Sequence, residues 1–73
     1  IPKKHLVDVK AANDDDQGLM GKLLLKANEI ARELGLDEKG FRYVINTGEH
    51  GGQTVYHLHL HILGGRSLSW PPG

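Results

Sequence analysis

An α+β fold, with one helix packed on an antiparallel sheet, is what the sequence predicts, and three observations predict it. Apolar residues recur at steps of three and four from Met20 to Leu34; "FRYVIN" (41–46) is aromatic and β-branched; and "TVYHLHLHIL" (54–63) alternates polar and apolar side chains at the period of a strand. The glycine-rich "GEHGGQ" (48–53) lies between the two strand segments and turns them into an antiparallel hairpin.

The helix opens at Asn13-Asp14-Asp15-Asp16-Gln17, near Asp15. Asn or Asp caps the free amides of the first turn, the acidic run suits the positive end of the helix dipole, and Asp14 to Gln17 has capping-box spacing. Met20, Leu23, Leu24, Ala27, Ile30, Ala31 and Leu34 then form one apolar stripe, and Gly35 supplies the left-handed residue that ends the helix. Beyond Gly64-Gly65 the tail ends in Trp70-Pro71-Pro72-Gly73, where paired prolines favour an extended path.

One helix on two strands leaves sheet edges and a sheet face uncovered, and an isolated hairpin is marginal in water. Further strands are therefore expected from an absent N-terminal portion, a second copy, or both. The opening "IPKKH" reads as the end of a strand, so residues 1–73 are expected to be the C-terminal portion of a single domain.

With 73 residues, nine Lys and Arg and nine Asp and Glu, the formal charge is zero. That removes the basic excess by which nucleic acid or an anionic membrane is recognised, and a small ligand or a protein partner is expected instead. The absence of cysteine removes disulfides, thiolate metal ligands and cysteine nucleophiles together. No apolar run approaches the ~20 residues of a bilayer span. A soluble, cytoplasmic protein is the expectation.

His57, His59 and His61 fall on one face of the second strand and Leu58, Leu60 and Ile62 on the other, which is the core face. The histidine face has three readings. As a plain solvated surface it is unusual, because Thr, Lys or Gln serve there more readily than repeated histidine. As a zinc site it meets a distance problem: at ~3.3 Å rise per residue the Cα atoms of His57 and His61 are roughly 13 Å apart, whereas zinc holds its nitrogen ligands at ~2.0–2.1 Å. A neighbouring pair could share an ion only with His5 or His50 joining from elsewhere. As a catalytic surface acting on an anion, the row supplies neutral imidazole, a nucleophile and proton carrier near neutral pH. The adjoining "GEHGGQT" (48–54) has glycines that let backbone amides approach phosphate oxygens, and Asn46 adds an amide at the end of the preceding strand.

The run "HLHLHIL", with "GGQTVYHLHLHILGGR", the terminal "WPPG", and also "IPKKH", "DDDQGLMGKLL" and "ELGL", resembles the histidine triad (HIT) family, in its branch of purine nucleoside phosphoramidases. The resemblance runs along essentially the whole chain. It implies that His59 is the nucleophile attacking the α-phosphorus of adenosine or guanosine 5′-phosphoramidates and acyl nucleotides, through a nucleotidyl-histidine intermediate. It implies that His57 orients the His59 ring through its backbone carbonyl as well as its side chain. His61 would contact phosphate oxygens together with Asn46, Gly52, Gln53 and Thr54, with the Thr54 hydroxyl near the leaving group. It further implies a homodimer with the helix at the contact and Trp70 shaping the partner subunit's pocket, an AMP-type purine nucleotide as substrate, and no cofactor or catalytic metal.

Three departures from the family pattern stand out. Thr54 replaces the serine common in this branch, "LDEKGF" is one residue longer, and the family's N-terminal portion, with its acidic ribose contact and much of the purine pocket, is missing. Two alternatives to the hydrolase stay open at this point: a nucleotide-binding scaffold or sensor without turnover, and a zinc-binding protein.

Overall fold

The computed structural model describes all 73 residues, Ile1–Gly73. Two 3-10 turns, Val9–Ala11 and Asp14–Asp16, lead into helix α1 (Gln17–Glu33), followed by strands β1 (Arg42–Val44) and β2 (His61–Leu63). The strands pair antiparallel, Arg42 with Leu63, Tyr43 with Ile62 and Val44 with His61.

The expected helix is present, with its start built differently. The capping box joins Asn13 to Asp16: the Asn13 side chain accepts from the Asp15 amide at 2.9 Å, and the Asp16 carboxylate accepts from the Asn13 amide at 3.0 Å. The acidic run thus forms a 3-10 turn before α1 begins at Gln17. At the other end Gly35, at φ +73°, closes the helix as expected. The Leu36 amide donates to Ala31 and the Gly35 amide to Arg32, so two otherwise orphaned carbonyls are satisfied.

Asp16 is buried and pairs with the exposed Lys4 ammonium at 2.6 Å, which pins the opening segment to the helix start. The hydrogen bond from Lys4, then that from the Asn13 amide, holds the Asp16 carboxyl below its ordinary value of 3.8. A carboxyl lowered on folding adds stability above its unfolded pKa and loses it as pH falls through the folded one. The denaturation midpoint of the protein should therefore exceed that of Asp16→Asn at neutral pH, and the gap should close as urea titrations are taken from pH 5 to well below 3.8. A gap constant with pH would show that the charge contributes nothing.

The core is small: Leu6, Ala27, Ala31 and Leu58 are its buried apolar side chains. Of the expected helical stripe only the two alanines are fully covered, while Leu24, Ile30 and Leu34 stay exposed, because two short strands are too little sheet to roof a helix of 17 residues. Sheet and helix are tied by the Tyr43 hydroxyl, which donates to Asn28 Oδ1 at 2.5 Å. A groove of about 640 Å³ lies between α1 and the inner face of the second strand segment, lined by Ile1, Leu23, Leu25, Ile30, Leu60 and Ile62 among others.

The second strand is shorter than the sequence predicts. Only His61–Leu63 is paired, since a ladder needs a partner and residues 54–60 find one bond of that kind, from the Leu58 amide to the Leu6 carbonyl at 2.6 Å. No helix is long and apolar enough to cross a membrane.

Candidate active site

Alternation sends the histidines and the leucines to opposite faces, as expected. Leu58 is 1% exposed, Leu60 and Ile62 line the apolar groove beside α1, and His61 is exposed. The groove is thus on the far side of the chain from the histidine row, and Lys3, Lys22, Lys26 and Glu29 join its apolar lining.

His59 occupies the centre of the row. Its Nδ1 is 2.7 Å from the backbone carbonyl of His57, and its ring meets His61 edge to face with centroids 4.9 Å apart. A carbonyl oxygen only accepts, so Nδ1 carries the proton. In the neutral ring this leaves the lone pair on Nε2. Residue 57 therefore orients His59 through its main chain. The His57 side chain is occupied elsewhere: its Nε2 lies 3.1 Å from the Pro2 carbonyl and its ring packs against His5 with centroids 4.6 Å apart. Pro2 was not legible as a partner of this row, and His5 was legible only as a possible further metal ligand, because both lie more than fifty positions away in sequence.

The loop between the strands is drawn tight. The Gly52 amide donates to Glu49 and the Gln53 amide to Gly48, both at 3.0 Å. Gly52 has φ +83°, a conformation that favours glycine, and a Cβ on Gly51 would sit 2.5 Å from the Thr47 carbonyl oxygen, so the turn admits no side chain there. A Cβ on Gly52 would face Asn46 Nδ2 at 3.9 Å, which places that amide beside the loop. The antiparallel register that pairs Val44 with His61, continued by two residues, aligns Asn46 with His59.

Gln53 has a different position from its neighbours. It is 4% exposed, its Oε1 accepts from the Gly48 amide at 2.9 Å, and its Nε2 donates to the carbonyls of Val7 at 2.7 Å and Val55 at 3.1 Å. Both amide hydrogens and the backbone N–H of Gln53 are thus used within the chain, and the side chain buckles the loop to the N-terminal segment. Thr54, by contrast, is exposed, and both its backbone N–H and its hydroxyl lack an internal partner. Beside His59 stand the exposed His61 and, by the strand register, Asn46, while Thr54 leaves the loop with its donors free.

Trp70 lies over Arg42 of its own chain, 5.9 Å from guanidinium carbon to ring centroid, while Arg42 Nη2 donates to the Ser69 carbonyl at 3.1 Å. Trp70 remains 79% exposed. For the zinc alternative the structure offers no ligand set: no three His, Asp or Glu side chains converge where an ion could be held.

Comparison with known proteins agrees with this arrangement. Residues 1–68 match the HIT domain family. An uncharacterized HIT-like protein of Synechocystis sp. is 60% identical over all 73 residues, which span 63% of its length. Among solved structures, a HIT family hydrolase from Legionella pneumophila superposes with a TM-score of 0.97 at 51% identity, covering 100% of this chain and 65% of that one. A histidine triad protein from Clostridium difficile gives 0.89 at 40% identity over 94% of this chain and 60% of its own. The chain thus spans less than two thirds of the length of each of these relatives. With residues 1–68 matched by the family model, the chain belongs to the HIT domain family.

Proposed function

We propose that the protein is a purine nucleoside phosphoramidase, hydrolysing adenosine or guanosine 5′-phosphoramidates and acyl nucleotides to the nucleoside monophosphate. The observation that carries this reading is the hydrogen bond from His59 Nδ1–H to the carbonyl of residue 57 at 2.7 Å, which leaves Nε2 with its lone pair on the polar face. An imidazole held in one tautomer beside polar donors is a preorganised nucleophile for phosphorus.

In the first step the Nε2 lone pair bonds to the α-phosphorus, the P–N bond breaks, and the amine departs after taking a proton from solvent. In the second, water attacks the nucleotidyl-imidazole, the N–P bond breaks back to the ring, and the water's proton is released. Charge growing on the phosphate oxygens is met by Thr54, Asn46 and His61, donors that need little reorganisation. Residues 1–73 form the C-terminal portion of a single HIT domain in this reading. The exposed Leu24, Leu25, Ile30 and Leu34 support a homodimer joined through α1.

The test is covalent trapping. The protein is mixed with adenosine 5′-phosphoramidate, quenched without acid and digested. A mass increment of one adenylyl group is expected on the peptide that contains His59 and is expected to be missing in His59→Ala. Nucleotide bound without any labelled peptide, under conditions where turnover is seen, would falsify the covalent mechanism; binding with neither label nor turnover would make the protein a nucleotide-binding module.

A further inference from the structure

Little holds the tail beyond Gly64 to the rest of the molecule. From residue 65 to residue 73 no backbone group joins a backbone hydrogen bond, and only Leu68 is even half-buried. Two side chains bond to carbonyls of this segment. Arg66 donates to its own neighbour, Ser67, and Arg42 of strand β1 donates through Nη2 to Ser69 at 3.1 Å. Arg42 is therefore the one residue of the folded body that reaches the tail by a hydrogen bond. The same guanidinium lies 5.9 Å from the centre of the Trp70 ring, within the range of a cation–π contact.

The strand register says on which side this clasp stands. Tyr43 points to the helix, where its hydroxyl meets Asn28, so Arg42 and Val44 on either side of it point the other way. Val44 is paired with His61 and Arg42 with Leu63. Directly opposed residues share one face of a sheet. Arg42 is thus on the histidine face, and at ~3.3 Å rise per residue it stands roughly 7 Å along the strand from the Val44–His61 pair.

We propose that Arg42 is a positioning residue for the tail: its planar fork takes the Ser69 carbonyl and the Trp70 ring together, and so holds the indole at the end of the histidine face, where it selects among leaving groups. The selection rests on the proposed reaction, whereas the grip on the tail does not. Arg42 touches no reacting atom and acts through Trp70. A guanidinium has a flat face for the ring and donors in its plane for the carbonyl, and the compact ammonium of lysine does not combine the two. The indole so held, 79% exposed, offers a flat apolar surface that suits an aromatic leaving amine by ring stacking.

Trp70 is the one tryptophan of the chain, so its indole N–H gives a single signal. The experiment is the heteronuclear ¹H–¹⁵N NOE of that N–H, with the shifts of the Arg42 δ protons, in the unaltered chain, Arg42→Lys, Arg42→Met and Trp70→Leu. In the unaltered chain the indole NOE should approach that of the β1 amides, and in Arg42→Met it should fall to about half or less, with Arg42→Lys between. The Arg42 δ protons should be displaced upfield by the ring and return toward their ordinary positions in Trp70→Leu. That variant leaves β1 untouched, so the contact is tested even where Arg42→Met loosens the sheet.

Adenosine 5′-phosphoramidate and its N-phenethyl derivative then serve as paired substrates. In Arg42→Met, kcat/KM should drop about threefold to tenfold for the phenethyl compound and change less than about twofold for the unsubstituted one. An indole as ordered in Arg42→Met as in the unaltered chain, or equally mobile in both, would overturn the proposal. So would Arg42 δ protons indifferent to Trp70→Leu, or two substrates affected alike. An indole loosened in Arg42→Met, in a protein that turns over neither substrate, would keep the grip on the tail and count against the proposed reaction alone.

Discussion

His59→Asn is expected to lower turnover of a nucleoside phosphoramidate by on the order of 10⁴-fold or more, while nucleotide affinity changes by less than about threefold. Asparagine is chosen because its Nδ2 takes the place of imidazole Nδ1 and can still donate to the carbonyl of residue 57, the bond seen at 2.7 Å in the protein. The substitution deletes the nitrogen that would bond to phosphorus and little else. Thermal stability should stay close to that of the unaltered protein, whereas His59→Ala strands a partly buried carbonyl and should cost roughly 0.5–1.5 kcal/mol. Single-turnover kinetics, a binding titration with AMP and a melting curve distinguish these effects. Turnover retained within tenfold in His59→Asn would mean that another group performs the displacement.

The two faces of the second strand segment were legible because a strand has one period. Once "HLHLHIL" is extended, the leucines must go one way and the histidines the other, whatever else the chain does. The helix was legible for the same reason, and so was its end at Gly35. What the sequence conceals is contact between distant segments. The Asn13 to Asp16 box stands in place of the expected Asp14 to Gln17 pairing, and the same Asp16 pairs with Lys4, twelve positions earlier. The strand 54–60 stays largely unpaired because its neighbour over most of that length is a single carbonyl, that of Leu6.

The same limit divides the candidate site. Asn46 and the histidines lie in the hairpin itself, where the strand register aligns Asn46 with His59. The partners of the His57 ring are Pro2 and His5, and of these the sequence suggested only His5, as a metal ligand and not as a ring packed on His57. Trp70 meets Arg42, a pairing between tail and strand that neither segment announces.

Gln53 shows how far a long-range contact can change a residue's meaning. In sequence it sits inside a glycine loop beside a row of histidines, the place for a phosphate ligand. In the structure its amide bridges Gly48, Val7 and Val55, and Val7 is 46 positions away. The orientation of that amide can be checked by charge. Gln53→Glu keeps the size and the acceptor for the Gly48 amide but turns a second carboxylate oxygen toward two carbonyls that previously received hydrogens. Burying that repulsion, or protonating the acid to relieve it, should cost about 2–4 kcal/mol of stability at neutral pH.

Gln53→Met, which removes the polar contacts while retaining length, should cost less, about 1–3 kcal/mol, because it leaves carbonyls unpaired without opposing them. A residue serving only as a phosphate donor on the surface would behave otherwise: Gln53→Glu would raise KM for the nucleotide by repelling its phosphate and would leave the urea midpoint where it was. The order of the midpoints, unaltered above Gln53→Met above Gln53→Glu, therefore tests whether the loop is buckled from within. If it is, the phosphate-facing donors reduce to Thr54, Asn46 and His61, and the loop's glycines serve to let the chain turn closely around a buried amide.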